Sequence, residues 1–339
     1  MKKVPNVAVI GAGGWGKNHV RNFHALGALR SVCDPDTERL SAMVSQYDGV
    51  AAQPDLQAIL DDPDIDGVVI SSPGATHGEI ARAALQSGKH VFAEKPLCLD
   101  LEEGKQLRLL AEERGLTLMV GHLLLYHPAF IALQDFVAQG GLGDIRYAYS
   151  NRTNLGRIRN EENALWSFAP HDISMLLSLI GEMPSRIVSN GGTWLYPPVA
   201  DTSLTHMDFS DGVQAHIFVS WLHPFKDQKL VVVGTKGMAV FDDTQAEDGK
   251  LVLYDHRIGW NESLPEIEKA DATPIPYERS EPLRNECQHF LDCITNGTRP
   301  RSDAAEGLRV LAVLDACERA LRTGETTKPA LAWDLDGTP

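Results

Sequence analysis

The chain of 339 residues has no apolar run near the roughly eighteen residues that a membrane-spanning helix needs. Its first residues, Met-Lys-Lys-Val-Pro-Asn, lead straight into a strand-like segment, without the apolar core and cleavage site of a secretory leader. Cysteine is sparse: Cys33, Cys98, Cys287, Cys293 and Cys317 are scattered and never spaced as C-x-x-C. That pattern argues against a zinc ribbon or a disulfide framework and fits free thiols in a reducing compartment, the cytoplasm. Basic residues are also short, 31 Lys and Arg against 46 Asp and Glu, for a formal net charge of −15. So acidic a chain is a poor partner for nucleic acid or an anionic membrane, and neither is expected. Histidine pairs at metal-ligand spacing are lacking too. His122 and His127 are five apart and the sequence sets no carboxylate at ligand spacing beside them, so no metal site is expected.

What is present is the composition of an ordinary globular enzyme, 43 % apolar and 23 % charged, in a length that suits two domains. Up to His122, apolar runs at 7–10, 29–33, 68–71, 90–94 and 117–122 alternate with helical patterns at 17–26, 36–46, 54–60, 77–87 and 100–114. Continuous apolar strands with helices between them predict a parallel sheet covered on both faces. After His122 the pattern changes. A helix is predicted from Pro128 to the Gly140 loop, and longer strands follow at 144–152, 185–195, 202–209, 213–222, 229–235, 238–243 and 250–256. Polar turns such as Ser210-Asp211-Gly212 join several of them, so this second sheet is expected to be large, open and mainly antiparallel. Helices are expected at 170–180, 283–296 and 303–322, and the acidic stretch 257–280 reads as a surface loop. The fold class is therefore α/β, with an N-terminal doubly wound domain over 1–122 and a C-terminal α+β domain over 123–339.

Gly11-Ala12-Gly13-Gly14-Trp15-Gly16 is G-x-G-x-x-G, directly after the first strand and opening a helix. This is the dinucleotide loop of a Rossmann domain, whose free N–H groups hold a pyrophosphate. Gly11 permits the turn, Gly13 lets backbone approach the anion, and Gly16 lets the helix pack closely. Asp34 ends the second strand, 21 residues after Gly13. Its carboxylate can accept both hydroxyls of an adenosine ribose and repels a 2′-phosphate, so NAD is the expected cofactor. Helix capping is the other role open to Asp34 or Asp36.

Residues 71–100, SSPGATHGEIARAALQSGKHVFAEKPLCLD, resemble the glucose–fructose oxidoreductase/inositol dehydrogenase (Gfo/Idh/MocA) family. There a strand-end T/S-P-x-x-x-H leads through a helix to G-K-H-V-x-x-E-K-P. The resemblance implies that Ser72, Pro73 and His77 lie near the dinucleotide, and Glu94, Lys95 and Pro96 beside the nicotinamide. Pro96 also biases Lys95 toward extended backbone. The resemblance makes Lys95 and His171 the catalytic pair, one taking the hydroxyl proton and the other steadying the alkoxide. His171 is expected at a helix start, where pairing with Asp172 is its alternative role. Tyr126, in Tyr126-His127-Pro128, resembles a family segment lining the substrate cleft.

Inositol dehydrogenases of the family carry an aspartate four residues before this histidine, where this chain has Ser167. Residues 154–174, NLGRIRNEENALWSFAPHDIS, are similar to the nucleotide-sugar 3-dehydrogenases of the family. The similarity implies a nucleotide sugar as substrate, foremost UDP-N-acetylglucosamine oxidised at its 3-hydroxyl. Arg146, Arg152, Arg157 and Arg159 fall in a stretch without acids; Arg157 and Arg159 are the candidates to clamp a diphosphate. Asn154 and Asn163 are candidates to read an acetamido group, and Trp166 or Tyr126 to stack on a ring. The alternative for the arginines is salt bridging, to Glu161 or Glu162 for example. The alternatives for the protein are a free-sugar or inositol dehydrogenase, or a dinucleotide-binding regulator without turnover. Family members pair through the antiparallel sheet, which implies a homodimer or homotetramer.

Overall fold

The computed structural model describes residues 4–156, 158–160 and 162–330. The chain opens with β1 (Val7–Ile10), α1 (Gly16–Ala25), β2 (Leu29–Cys33), α2 (Thr37–Val44), β3 (Ala51–Gln53) and α3 (Leu56–Asp61). Then come β4 (Gly67–Ile70), α4 (His77–Gln86), β5 (His90–Glu94), α5 (Leu101–Glu113) and β6 (Leu118–Gly121). The six strands run parallel in the order β3-β2-β1-β4-β5-β6. This is the doubly wound order, whose reversal between β1 and β4 opens a crevice at the carboxyl ends. β1 and β4 are buried at every residue, as strands covered on both faces must be. Asp36, Asp55 and Asp100 each cap a helix, accepting from the backbone N–H of Arg39, Gln57 and Glu103. β3 escapes the sequence pattern because its three residues include no buried one.

The chain continues through α6 (Pro128–Ala138), β7 (Ile145–Leu155), α7 (Ala164–Ile180), β8 (Arg186–Gly192), β9 (Thr202–Asp208), β10 (Gln214–Ser220) and β11 (Leu222–Gly234). It ends with β12 (Met238–Asp242), β13 (Leu251–Tyr254), β14 (Arg257–Asn261), β15 (Leu264–Glu268), β16 (Thr273–Pro274), α8 (Pro282–Asn296) and α9 (Ala304–Thr323). Eight of these strands form one sheet, ordered β16-β13-β12-β11-β7-β10-β9-β8. It is antiparallel except where β10 runs alongside β7. Ala215, Ile217 and Val219 alternate along β10 into the core. On the opposite face Tyr147, Tyr149 and His216 pack ring to ring, with centroids 5.2 to 6.0 Å apart. The stretch read as a surface loop instead contains an exposed hairpin, β14 paired with β15 through Ile258 and Ile267. Its charges mask the alternation that would have revealed it.

The chain divides into two units. The first is Met1–Tyr126 with Ser280–Leu311, and the second is His127–Arg279 with Ala312–Pro339. A single boundary at 122/123 therefore misses a return of the chain. The reason is packing: Phe290 of α8 sits against Phe23 of α1 and Phe92 of β5, with centroids 6.5 and 5.6 Å away. Val120 of β6 donates its N–H to the Ser302 carbonyl at 2.8 Å. The helical period at 283–296 is visible in sequence, but it does not say which sheet its apolar stripe covers.

Candidate active site

In the first unit, Gly11 follows β1 with φ +101°, and a Cβ there would lie 2.7 Å from the Ser71 carbonyl oxygen beyond β4. Only glycine lets these two strand ends close on each other. A Cβ on Gly16 would collide with the Gly11 carbonyl, so this glycine serves the loop's own packing. Gly13 and Gly14 are different: added Cβ atoms there meet nothing within 4 Å. Their backbone is open to an approaching anion. α1 has no acid in its first turn, so the positive end of its dipole is uncompensated and suits a pyrophosphate. Trp15, partly exposed just before α1, gives its indole N–H to the Glu94 carboxylate.

Asp34 stands at the carboxyl end of β2, almost fully buried. One carboxylate oxygen accepts from the Ala12 N–H at 2.7 Å and the other from the Asp36 N–H at 2.9 Å. The carboxylate is thus locked in place with lone pairs to spare for a ribose diol. Asp36 takes the capping role that the sequence left open between the two aspartates. Arg39, which belongs to no motif in the sequence, holds its guanidinium 3.4 Å from Asp34 and 2.9 Å from Asp36. Its place in the first turn of the helix after Asp34 is the signal that could have found it.

At the ends of β4 and β5, His77 ties two segments together. Its Nδ1 lies 2.7 Å from the Pro96 carbonyl and its Nε2 2.9 Å from the Ser72 carbonyl. The Ser72 hydroxyl bonds Thr76 at 2.7 Å, and Thr76 donates to the Pro73 carbonyl at 2.8 Å. Glu94 accepts from the Lys95 N–H at 3.2 Å and faces His19 Nε2 at 2.7 Å. Burial pushes the Glu94 carboxyl up, but the bonds from His19 and Trp15 and the nearby charges of His19 and Lys95 outweigh it and hold the group below its ordinary range. Glu94 is therefore a fixed anion joining the phosphate loop, α1 and β5. Lys95, next along and half-buried, leaves the strand beside it. Gly13, Gly14, Asp34 and this corner fit a dinucleotide laid along the carboxyl edge.

In the second unit, α7 starts six residues earlier than the sequence pattern indicates, at Ala164. Asn163 caps it, accepting from the Trp166 N–H at 3.1 Å, and gives its own amide to Glu318 at 2.7 Å. This corrects two expectations. His171 lies inside the helix, past Pro170, and the Asn163 side chain is already engaged on both sides. Asp172 is engaged in the core. Its carboxylate accepts from Ser150 at 2.6 Å and from Arg152 at 2.8 and 3.1 Å, since successive residues on a helix face different ways. Ser167 lies one turn before His171 and donates to Glu162 at 2.8 Å.

The arginine cluster is largely dispersed. Arg152 is committed to Asp172 in the core, and Arg159 pairs with Glu162 at 2.8 Å. Arg157 lies outside the described residues. Asn154 and Trp166 are half-buried. In the first unit Tyr126 is buried, with its hydroxyl 2.9 Å from Ser302 Oγ, so it belongs to that unit's core and not to a substrate surface. Among the described residues there is no cluster of three or more His, Cys, Asp or Glu able to hold a metal, and no helix long and apolar enough to cross a membrane.

Residues 5–122 match the family model of the GFO/IDH/MocA oxidoreductases, NAD-binding Rossmann fold, and residues 130–240 match a GFO/IDH/MocA C-terminal domain. UDP-N-acetylglucosamine 3-dehydrogenase of Acidithiobacillus ferrooxidans is 28% identical, over 90% of this chain and 93% of that one. The NAD-dependent scyllo-inositol 2-dehydrogenase of Bacillus subtilis is 27% identical, over 86% of this chain and 87% of that one. A solved structure of the Acidithiobacillus enzyme superposes with a TM-score of 0.79 at 26% identity, covering 93% of this chain and 97% of the other.

Proposed function

Because this chain belongs to the Gfo/Idh/MocA family of NAD-dependent sugar dehydrogenases, we propose that it oxidises a nucleotide sugar, UDP-N-acetylglucosamine, at its 3-hydroxyl. The observation that carries this reading is Ser167, where inositol dehydrogenases of the family carry aspartate. Its hydroxyl is turned to Glu162, and no carboxylate stands at that position of the helix to work with His171. The near full-length likeness to a UDP-N-acetylglucosamine 3-dehydrogenase supports the same choice. A polyol is the second reading, favoured by the comparable likeness to a scyllo-inositol dehydrogenase.

The bound nicotinamide supplies a hydride acceptor. Two tasks then fall to the protein, accepting the hydroxyl proton and steadying the developing alkoxide. Lys95 and His171 divide them. Asn154, Trp166 and the arginines around 157–159 are assigned to the nucleotide sugar, which a free polyol would not require. Arg159 would exchange its exposed Glu162 bridge for a diphosphate at small cost, since such surface pairs contribute about 0–1 kcal/mol. The open face of the eight-stranded sheet, with its Tyr147, Tyr149 and His216 cluster, is assigned to self-association as a homodimer or homotetramer. The five unpaired cysteines suit a cytoplasmic setting.

A steady-state panel with NAD tests the assignment: UDP-N-acetylglucosamine, UDP-glucose, dTDP-sugars, free glucose and myo-inositol. The reading expects the highest kcat/KM for UDP-N-acetylglucosamine, and a raised KM for it after Arg157→Ala with Arg159→Ala. Preference for a free polyol overturns it.

A further inference from the structure

The carboxyl edge of the first unit's sheet holds an acid that the reaction above does not use. Glu286, on α8, is 0% exposed, and neither of its side-chain oxygens has a hydrogen-bond partner among the described residues. An unpaired buried carboxylate is costly, so such a group holds its proton. Burial first, and then the negative charges of Glu94 and Glu306, push Glu286 well above the ordinary carboxyl range.

The groups around it have partners of their own. Glu94, ending β5, has His19 of α1 at 2.7 Å, the Trp15 indole, and Lys95 beside it. Glu306, in the first turn of α9, has His122 Nδ1, just past β6, at 2.5 Å. The Tyr126 hydroxyl is held by Ser302. The Cys287 thiol lies 3.7 Å from His19 Nδ1, with the Arg21–Glu281 pair beyond it. Glu286 is therefore the uncommitted member of a carboxyl cluster at the ends of β5 and β6. In a doubly wound sheet of this order the adenosine half lies over β1 to β3, where Asp34 stands, and the other half over β4 to β6. The cluster thus lies on the nicotinamide side. When bound, the nicotinamide ring is cationic in NAD and neutral in NADH.

We infer that Glu286 is a proton store tied to the redox state of the cofactor: it gives up its proton when NAD is bound and keeps it when NADH is bound. A nearby positive charge favours the carboxylate, and its discharge restores the acid. Oxidation of an alcohol by NAD yields ketone, NADH and a proton. The Glu286 carboxylate takes up a proton as the ring loses its charge. That proton returns to solvent only when NADH is exchanged for NAD and Glu286 ionises again.

The inference rests on the cofactor and not on the sugar, so its test needs no substrate. Calorimetric titration of the protein with NAD and with NADH, each in two buffers of different ionisation enthalpy, reads proton release directly. More release is expected with NAD than with NADH, and this difference should vanish in Glu286→Gln. A difference that survives in the variant, or none in the wild type, overturns the inference. Infrared difference spectra of wild-type protein labelled with 13C-glutamate provide a check that needs no variant. A protonated-carboxyl band is expected with NADH and its loss with NAD; an unchanged band overturns the inference equally.

Discussion

Arg39, in the first turn of α2, holds its guanidinium 3.4 Å from the Asp34 carboxylate. In the role proposed for it, Asp34 would repel a 2′-phosphate, which Arg39 would bind. On that proposal the cofactor choice turns on the balance between these two side chains. Asp34→Ser alone should shift preference toward NADP by about tenfold to a hundredfold, equivalent to about 1.4–2.8 kcal/mol. Adding Arg39→Ala should remove most of that gain. Comparing Kd for the two cofactors across the three proteins checks this. Efficient NADP turnover by the wild type would count against the role given to Asp34.

Lys95→Met and His171→Asn should each lower kcat by about 10²–10⁴-fold with little change in NAD affinity. If both serve one proton transfer, the double variant should lose little more than the worse single one. Full activity in either single variant removes that residue from the mechanism.

Much of this corner was legible because its signals are local. The glycine loop, Asp34 and the Glu94-Lys95-Pro96 turn are short runs whose meaning depends on the strand just before them. What sequence could not supply was partners distant along the chain. The place of Asp172 is set by Ser150 and Arg152, some twenty residues away, so one arginine of the acid-free stretch is a core group. Tyr126 looks like a substrate contact until Ser302, 176 residues on, takes its hydroxyl. The start of α7 was hidden by Pro170, which marks a helix end far more often than a helix interior. The return of residues 280–311 to the first unit was invisible for the same reason: an amphipathic stripe does not name its partner.

The buried Arg152–Asp172 pair anchors α7 to β7. Arg152→Met leaves the Asp172 carboxylate, itself 0% exposed, without its cation. A loss of about 3–5 kcal/mol is expected, read as a lower urea midpoint. Replacing both residues by apolar ones should recover part of it. A change within the scatter of surface substitutions would mean that α7 is held in another way.

Glu286 also makes stability depend on pH. Its value in the fold lies above the ordinary 4.5, so the folded chain holds a proton that the unfolded chain releases. The stabilisation from that proton is whole below 4.5 and is lost as pH rises through the folded value. Glu286→Gln keeps a neutral side chain throughout. Without cofactor, its Tm should exceed that of the wild type increasingly as pH is raised, with the gap closing toward acid pH. Parallel Tm curves for the two proteins would contradict this.

The most direct test of the central claim follows the hydrogen itself. Purified protein is incubated with NAD and UDP-N-acetylglucosamine deuterated at carbon 3 of the sugar, and the nicotinamide product is analysed by mass spectrometry. The account predicts NADH carrying the deuterium, together with the 3-keto nucleotide sugar. NADH without deuterium, or none at all from this substrate while a free polyol is oxidised, would contradict it.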